Sequence, residues 1–380
     1  MSLSLRLAGA VVMTPRGFQK TELSFCNGVI AKTGDREVDL SGFMILPGIV
    51  DVHGDAFEKH IAPRRGAVKD LARALLSNEA ELAANGITTA VMAQFCSWEG
   101  GMRSPEFAEK LLCALSEIAT RTATDMRVQL RLEVSLVDYY DEFLDLCKTY
   151  GVQYVVFNDH LPHDALFRQK KPPRLTGQAL RAGKSPESHY RNMLALHSRM
   201  ENVPHALKAL ARKLSDMGVL LGSHDDRSEG PQSEWHGMGV EIAEFPETEE
   251  AAKAARSNGA SIVLGAPNAM RGGSHNGNIS AVDLISAGLC DALASDYHYP
   301  SLANSAFALS DAGVLDLTTS WKLISSGPAK LLGLNDRGSL ARDMRADLVV
   351  VDQNNRDICA TISNGRISHL KGEVAERFIG

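Results

Sequence analysis

Five short apolar runs in this chain each lead into residues able to ligate a metal, and that recurrence limits the folds open to it. Ile45-Leu46-Pro47-Gly48-Ile49-Val50 leads into His53 and Asp55, and Val128-Gln129-Leu130-Arg131-Leu132 into Glu133. Tyr154-Val155-Val156-Phe157 is followed by His160, Gly218-Val219-Leu220-Leu221-Gly222-Ser223 by His224, and Ala292-Leu293-Ala294-Ser295 by Asp296. Runs of this kind suit strands buried on both faces, as in parallel sheets. Strand residues two apart point the same way, so His53 and Asp55 can reach one ion. Any one of these placements alone reads as a solvated turn, a cap or a satisfied buried polar group. Their repetition favours ligand-type side chains at the carboxyl ends of parallel strands, which is how a (β/α)8 barrel assembles an active site.

The chain between these runs fits that reading. Leu71 to Asn85 has helical apolar spacing and stops at Gly86, a suitable residue just past a helix end. Thr88 to Gln94 reads as the second strand. Ser104-Pro105 supplies an N-cap and a first-turn proline, with Phe107, Leu111, Leu115 and Ile118 as the buried stripe. A helix around Leu207, Leu210, Leu214 and Met217 precedes the fifth strand. Val240 to Phe245 and Ser261 to Leu264 give the sixth and seventh strands, with a helix capped near Thr248 between them. Helices close the ring through Leu331-Leu332. The α/β alternation predicts a (β/α)8 TIM barrel.

Both ends of the chain have another character. Residues 1 to 45 alternate short β-type runs (Leu5 to Leu7, Ala10 to Met13, Leu23 to Phe25, Val29-Ile30) with turns at Gly17, Asn27-Gly28 and Gly34-Asp35. Ala346 to Asp352, Ile358 to Ile362 and Arg366-Ile367 repeat the pattern at the other end. Short isolated hairpins are marginal in water. The two ends are therefore expected to pair into one small β-sandwich domain. The predicted boundaries are 1–45 and 336–380 for that domain and 46–335 for the barrel.

At 380 residues, 44% hydrophobic and 23% charged, the chain has ample material for such a core. A net charge of −6 argues against a globally basic nucleic-acid binder, so no nucleic-acid partner is expected. No signal-peptide pattern and no long charge-free helical run is visible, so no membrane association and a cytoplasmic location are expected. The six cysteines are scattered with no Cys-x-x-Cys pair. Cys96, Cys113 and Cys147 lie in apolar runs and are expected as buried thiols. A homo-oligomer is the commoner state for such a chain.

His53, Asp55, Glu133, His160, His224 and Asp296 form the candidate metal set, enough for two divalent ions with a bridging carboxylate. Mixed nitrogen and oxygen ligation suits Zn2+, with Mn2+ as the second choice. Such an ion brings the pKa of bound water near neutrality, and Asp296 is the candidate catalytic residue, orienting that water and moving its proton. Hydrolysis is the expected chemistry.

Three cationic clusters point to a phosphorylated small molecule. Lys59, His60, Arg64 and Arg65 lie just past the first ligand pair. The loop expected from Gly265 to Gly277 carries Arg271, Gly272, Gly273, Ser274 and His275 after strand seven, where barrels recurrently bind phosphate. Arg271 can pair with phosphate oxygens through two donors. Residues 161 to 199 form a polar segment without a clean strand, and between Leu166 and Arg191 it holds Arg168, Lys170, Lys171, Arg174, Arg181, Lys184 and Arg191 against the single acid Glu187. That segment reads either as a solvated, poorly ordered insertion or as a recognition element, and its place directly after His160 favours contact with an anion. A polyphosphate matches this many donors better than a neutral ring.

The metal constellation, the terminal β segments and Gly327-Pro328-Ala329-Lys330-Leu331-Leu332-Gly333-Leu334 resemble the amidohydrolase superfamily. Within it, His53-Gly54-Asp55-Ala56-Phe57-Glu58-Lys59-His60 with Pro63-Arg64 is similar to the phosphonate-utilisation family. So are Ser223-His224-Asp225-Asp226, Gly265-Ala266-Pro267-Asn268 through His275, and Ser295-Asp296-Tyr297. The resemblance runs through essentially the whole chain. It implies hydrolysis of a phosphorylated sugar, α-D-ribose 1-methylphosphonate 5-triphosphate, to the 5-phosphate and diphosphate. Asp55 stands where many superfamily members have a second histidine, and Glu133 where many have a modified bridging lysine. The alternative is a C–N amidohydrolase acting on a cyclic amide or nucleobase-like substrate, which would have no use for the basic clusters. A non-catalytic binder of phosphate ligands is the third reading.

Overall fold

The computed structural model describes residues 3–63, 68–272 and 279–380. Its centre is an eight-stranded parallel sheet, labelled here β1 (Ile49–Gly54), β2 (Ile87–Cys96), β3 (Asp125–Glu133), β4 (Tyr154–Asn158), β5 (Leu220–His224), β6 (Ile242–Glu244), β7 (Ser261–Gly265) and β8 (Ala292–Ala294). The strands lie in sequence order, and the ring closes through a parallel bridge between Gly54 and Asp296. There the Asp296 N–H donates to the His53 carbonyl at 3.0 Å, and the Asp55 N–H donates to the Asp296 carbonyl at 2.9 Å. All ten residues of β2 are buried, as expected of a strand covered on both faces. The chain is a TIM barrel with a second, smaller β domain.

That second domain has two sheets. A six-stranded sheet runs Arg366–Leu370, Ile358–Ser363, Leu348–Asp352, Phe43–Pro47, Val11–Thr14, Gly17–Lys20. Its seam is the antiparallel pairing of Leu348–Asp352 with Phe43–Pro47, with Val350 opposite Ile45, so both ends of the chain build one sheet. A four-stranded sheet runs Val29–Ala31, Leu23–Cys26, Ser4–Ala8, Arg36–Asp39. Leu5, Phe25, Val38, Ile45, Leu348, Val350 and Ile362 share one buried core. Burying a side chain of that size stabilises by about 1.5–3 kcal/mol, so neither terminal segment can be removed without exposing the other. Val374 and Phe378 of a C-terminal helix, Gly372–Ile379, join this core, an element absent from the sequence reading.

The chain divides into two compact units, Met1–Met92 with Glu117–Arg127 and Ser261–Gly380, and Ala93–Ser116 with Val128–Ala260. In the second unit, the segment expected as irregular from 161 to 199 is instead helical: His163–Phe167, Leu175–Arg181 and Pro186–His197. Ser185 caps the last of these by accepting from the Ser188 N–H at 3.1 Å. Leu161, Leu166, Leu175, Met193 and Leu196 pack with Trp98 into a separate small core. The seven cations between Leu166 and Arg191 are all exposed.

Two further expectations are corrected. Cys113 is exposed, because at helical spacing it falls off the face carrying Ala108, Leu111, Leu112 and Ile118. The start of the expected loop after β7 is a helix, Ala266–Arg271, with Pro267 in its first turn and Gly272 closing it at φ 71°. Among the described residues, no helix is long and apolar enough to cross a membrane.

Candidate active site

In the first unit, His53 is fully buried at the end of β1 and Asp55 half-buried just beyond it. The two backbone bonds at the Gly54–Asp296 bridge place Asp296 beside this pair. Asp296 has a left-handed backbone, φ 54°, a conformation uncommon outside glycine and typical of strained functional positions. Behind the pair, Asp51 is wholly buried and accepts from the Ser295 hydroxyl at 2.6 Å and the Ser295 N–H at 3.0 Å. Burial raises the Asp51 pKa above the usual carboxylate range, against the opposing pull of those bonds. Gly54 is needed for space: a Cβ there would lie 2.7 Å from Asp51 Oδ2, 2.9 Å from Ser295 Oγ and 3.1 Å from the Tyr299 ring.

In the second unit, Glu133 is fully buried at the end of β3 and hydrogen-bonds through Oε1 to His160 Nδ1. Its Oε2 accepts from the His160 N–H at 3.1 Å and from the Trp98 indole N–H at 3.1 Å. Burial works against charge on His160, but the Glu133 bond and charge outweigh it and hold the imidazole above its ordinary pKa. Beside it, the Phe95 ring lies between two guanidiniums, Arg103 at 4.2 Å and Arg131 at 4.1 Å. His224 ends β5 opposite Glu244 on β6, with Nδ1 3.8 Å from Glu244 Oε2.

The candidate anion-binding residues are differently disposed. Lys59 and His60 both pair with Glu81. Partial burial opposes charge on Glu81, and its two partners prevail, holding its pKa below the ordinary value. Lys59 also lies 5.6 Å from the centre of the Tyr299 ring. Lys59 and His60 line an open cavity of about 580 Å³ together with Lys69 and Arg73, two cations the sequence reading did not single out. Arg271 is exposed in the last turn of its helix and donates to the Tyr297 hydroxyl at 2.6 Å. Gly272 follows it. Arg64, Gly273, Ser274 and His275 lie outside the described residues, as does Arg65.

The donors present fit a divalent ion in kind: imidazole nitrogens and carboxylate oxygens, with no thiolate among them. Among the described residues, however, no group of three or more histidine, cysteine, aspartate or glutamate side chains is gathered closely enough to hold an ion. Glu133 and His160 are bonded to each other instead. Sequence reasoning missed Asp51 and Glu244, both fully buried acids. It also missed Trp98, which is nearly buried.

No family model matches the chain. Solved structures share its architecture at low identity. A Xaa-Pro dipeptidase superposes with a TM-score of 0.66 at 12% identity, covering 96% of this chain and 99% of its own. The β-aspartyl dipeptidase of Fervidobacterium islandicum AW-1 gives 0.61 at 17%, with 98% of both chains covered. A triazine hydrolase variant gives 0.61 at 12%, covering 99% of this chain and 98% of its own. These likenesses show the architecture, a TIM barrel with a smaller β domain. A narrower likeness comes from sequence: the α-D-ribose 1-methylphosphonate 5-triphosphate diphosphatase of Escherichia coli strain K12 is 34% identical over 330 residues, covering 84% of this chain and 86% of that protein. The chain belongs to the family of that diphosphatase.

Proposed function

We propose that this chain is a divalent-metal-dependent hydrolase that cleaves a phosphoanhydride of a ribosyl 5-triphosphate and releases diphosphate. The observation that carries this reading is the 34% identity, over most of both chains, to a protein named for that reaction. In this reading the barrel of residues 46–335 carries the chemistry, and 1–45 with 336–380 form the accessory β domain. His53, Asp55, Glu133, His160, His224 and Asp296 supply the metal ligands. A divalent ion held there would polarise the scissile phosphoryl group and activate water.

The remaining work falls to the chain itself. Asp296 takes the proton of the attacking water, a task for a carboxylate held beside it. Lys59, His60 and Arg271, with Arg64, Gly272, Gly273, Ser274 and His275, hold the phosphate oxygens and offset charge gathering on the leaving diphosphate. Asp51 and Ser295 fix the backbone from which Asp296 projects. The C–N hydrolase alternative rests on fold likeness at 12–17% identity, which speaks for architecture alone.

The test is an assay of ribosyl and nucleoside triphosphates with protein as isolated, chelated, and reconstituted with Zn2+ or Mn2+. Diphosphate and an intact monophosphate are expected, lost on chelation and restored by the ion. Stepwise release of single phosphates, or turnover indifferent to chelation, would overturn the reading.

A further inference from the structure

The cavity between the short helix Glu58–Ile61 and the first half of the helix Leu71–Ala84 holds more cationic donors than the proposed substrate contacts use. Asp70, Arg73, Ser77 and Glu81 recur every three or four residues, so they form one stripe along the second helix. A polar stripe alone is an ordinary solvated face. Here its first three members line a cavity of about 580 Å³ together with Lys59, His60 and Lys69. That is the size of a small-molecule site, and a cationic wall selects for an anion.

The acids beside these cations are already engaged, yet they leave donors over. Asp70 caps its helix by accepting from the Arg73 N–H at 3.1 Å, and its other oxygen holds Arg73 Nε at 3.2 Å. Both terminal nitrogens of that guanidinium remain, the planar fork that suits phosphate oxygens. Glu81 takes Lys59 at 2.5 Å and also His60. An ammonium carries three N–H donors, so Lys59 keeps two. Among the described residues, no ion pair holds Lys69.

The cavity adjoins the first pair of candidate ligands. Lys59 lies 5.6 Å from the centre of the Tyr299 ring. The edge of the same ring borders Gly54, where a Cβ would lie 3.1 Å from it, and Gly54 joins His53 to the residue before Asp55's side chain, the backbone of Asp55 itself. One aromatic ring therefore stands between the Lys59 ammonium and that backbone. We infer that Lys69 and Arg73, with Lys59, are substrate-binding residues that set specificity by holding the two outer phosphoryl groups of a triphosphate, the part that leaves as diphosphate. The inference rests on the phosphoanhydride hydrolysis proposed above and adds two residues to it. Each further phosphoryl group brings negative charge to this wall, so the same residues favour a triphosphate over a monophosphate.

Chelated protein is titrated calorimetrically with inorganic pyrophosphate and with orthophosphate. Wild type is compared with Lys69→Gln, Arg73→Gln and the double variant, and with Lys208→Gln as an exposed cation elsewhere. Lys69 and Arg73 are exposed, so every variant should fold, which a urea midpoint checks. Wild type should bind pyrophosphate more tightly than orthophosphate. Lys69→Gln and Arg73→Gln should each lower pyrophosphate affinity about 10-fold, with KM for a nucleoside triphosphate rising in step, and Lys208→Gln should change neither. Unchanged pyrophosphate affinity in the double variant, or a wild type that binds no pyrophosphate, overturns the inference and leaves the functional reading standing. An equal loss in Lys208→Gln reduces the effect to net charge and overturns the inference too. A wild type that hydrolyses no triphosphate, while its pyrophosphate binding still depends on Lys69 and Arg73, overturns the functional reading and leaves the anion site.

Discussion

Asp51 accepts both donors of Ser295, the hydroxyl at 2.6 Å and the backbone N–H at 3.0 Å, across 244 positions of sequence. These bonds fasten β1 to the end of β8 one residue before Asp296, so the candidate base is set by a buried acid on another strand. Gly54 closes over the pair, with room for hydrogen only. Gly54→Ala should force the two strands apart and destabilise the protein by about 1–3 kcal/mol, the usual cost of overpacking. Turnover should fall with it, because His53, Asp55 and Asp296 share that backbone. Urea unfolding and kcat on the same preparation check this. Full stability and full activity in the variant would show that the space around Gly54 is unimportant.

Charge reversal separates a polyphosphate substrate from a neutral one. Lys59→Glu and Arg271→Glu alter exposed side chains, so stability should shift by no more than about 0.5 kcal/mol. Removing a preorganised donor from developing phosphate charge costs about 10²–10³-fold in rate, and comparable losses in kcat/KM toward a triphosphate are expected here. Glu81 would lose one of its two partners in Lys59→Glu, with His60 remaining. If both variants keep kcat/KM within a few-fold of wild type, the anion-binding assignment fails.

The parallel strands were legible because each is a locally apolar run, and so was the position of His53, Glu133 and His224 at the carboxyl ends of three of them. Where the physical reason lay elsewhere in the chain, the sequence was silent. Asp51 sits inside an apolar run, and its two shortest bonds come from Ser295, far downstream. Glu244 shares the short stretch Val240 to Phe245 with Glu241, and nothing local tells a buried acid from a solvated one in a three-residue strand. The helices of residues 161 to 199 carry few apolar side chains among many cations. Their core is completed by Trp98, far upstream, so periodicity within the segment could not show it. Cys113 was misjudged from composition alone, where helical phase decides.

Trp98 does two things at once, packing against the helical insertion and donating to Glu133 at 3.1 Å. Its ring also lies 5.6 Å from that of His189, which is fully buried on the helix Pro186–His197. Trp98→Phe keeps most of the apolar contact and removes the donor. One hydrogen bond to a charged group contributes about 1.5–3 kcal/mol, so stability should fall by that order through the exposed need of Glu133. The His160 pKa, read by NMR titration, should rise further, since a carboxylate with one fewer donor draws the proton of its histidine partner more strongly. An unchanged His160 titration would show that the indole bond has no influence on the pair.

Arg337 offers a test of stability against pH at a place remote in sequence from every candidate ligand but Asp296. Its side chain is 5% exposed and donates to Asp125 Oδ2 at 2.7 Å and to Thr89 Oγ1 at 2.8 Å. Partial burial disfavours charge on Asp125, yet Arg127 and Arg337 together hold its pKa below the ordinary value. A carboxyl depressed on folding contributes stability in full above its unfolded pKa of about 3.9 and loses it as pH falls through the lower folded value. Arg337→Met removes one of the two guanidiniums on Asp125 and leaves Arg127 in place, so it should cost about 1.5–3 kcal/mol at pH 7. As pH falls through the depressed folded value, Asp125 takes up a proton and its contribution fades, so the two unfolding curves should draw together. Urea titrations at pH 7 and at successively lower pH, down to where the wild type still folds, read the gap, and a gap that stays constant throughout would remove Asp125 ionisation from the account of what Arg337 does.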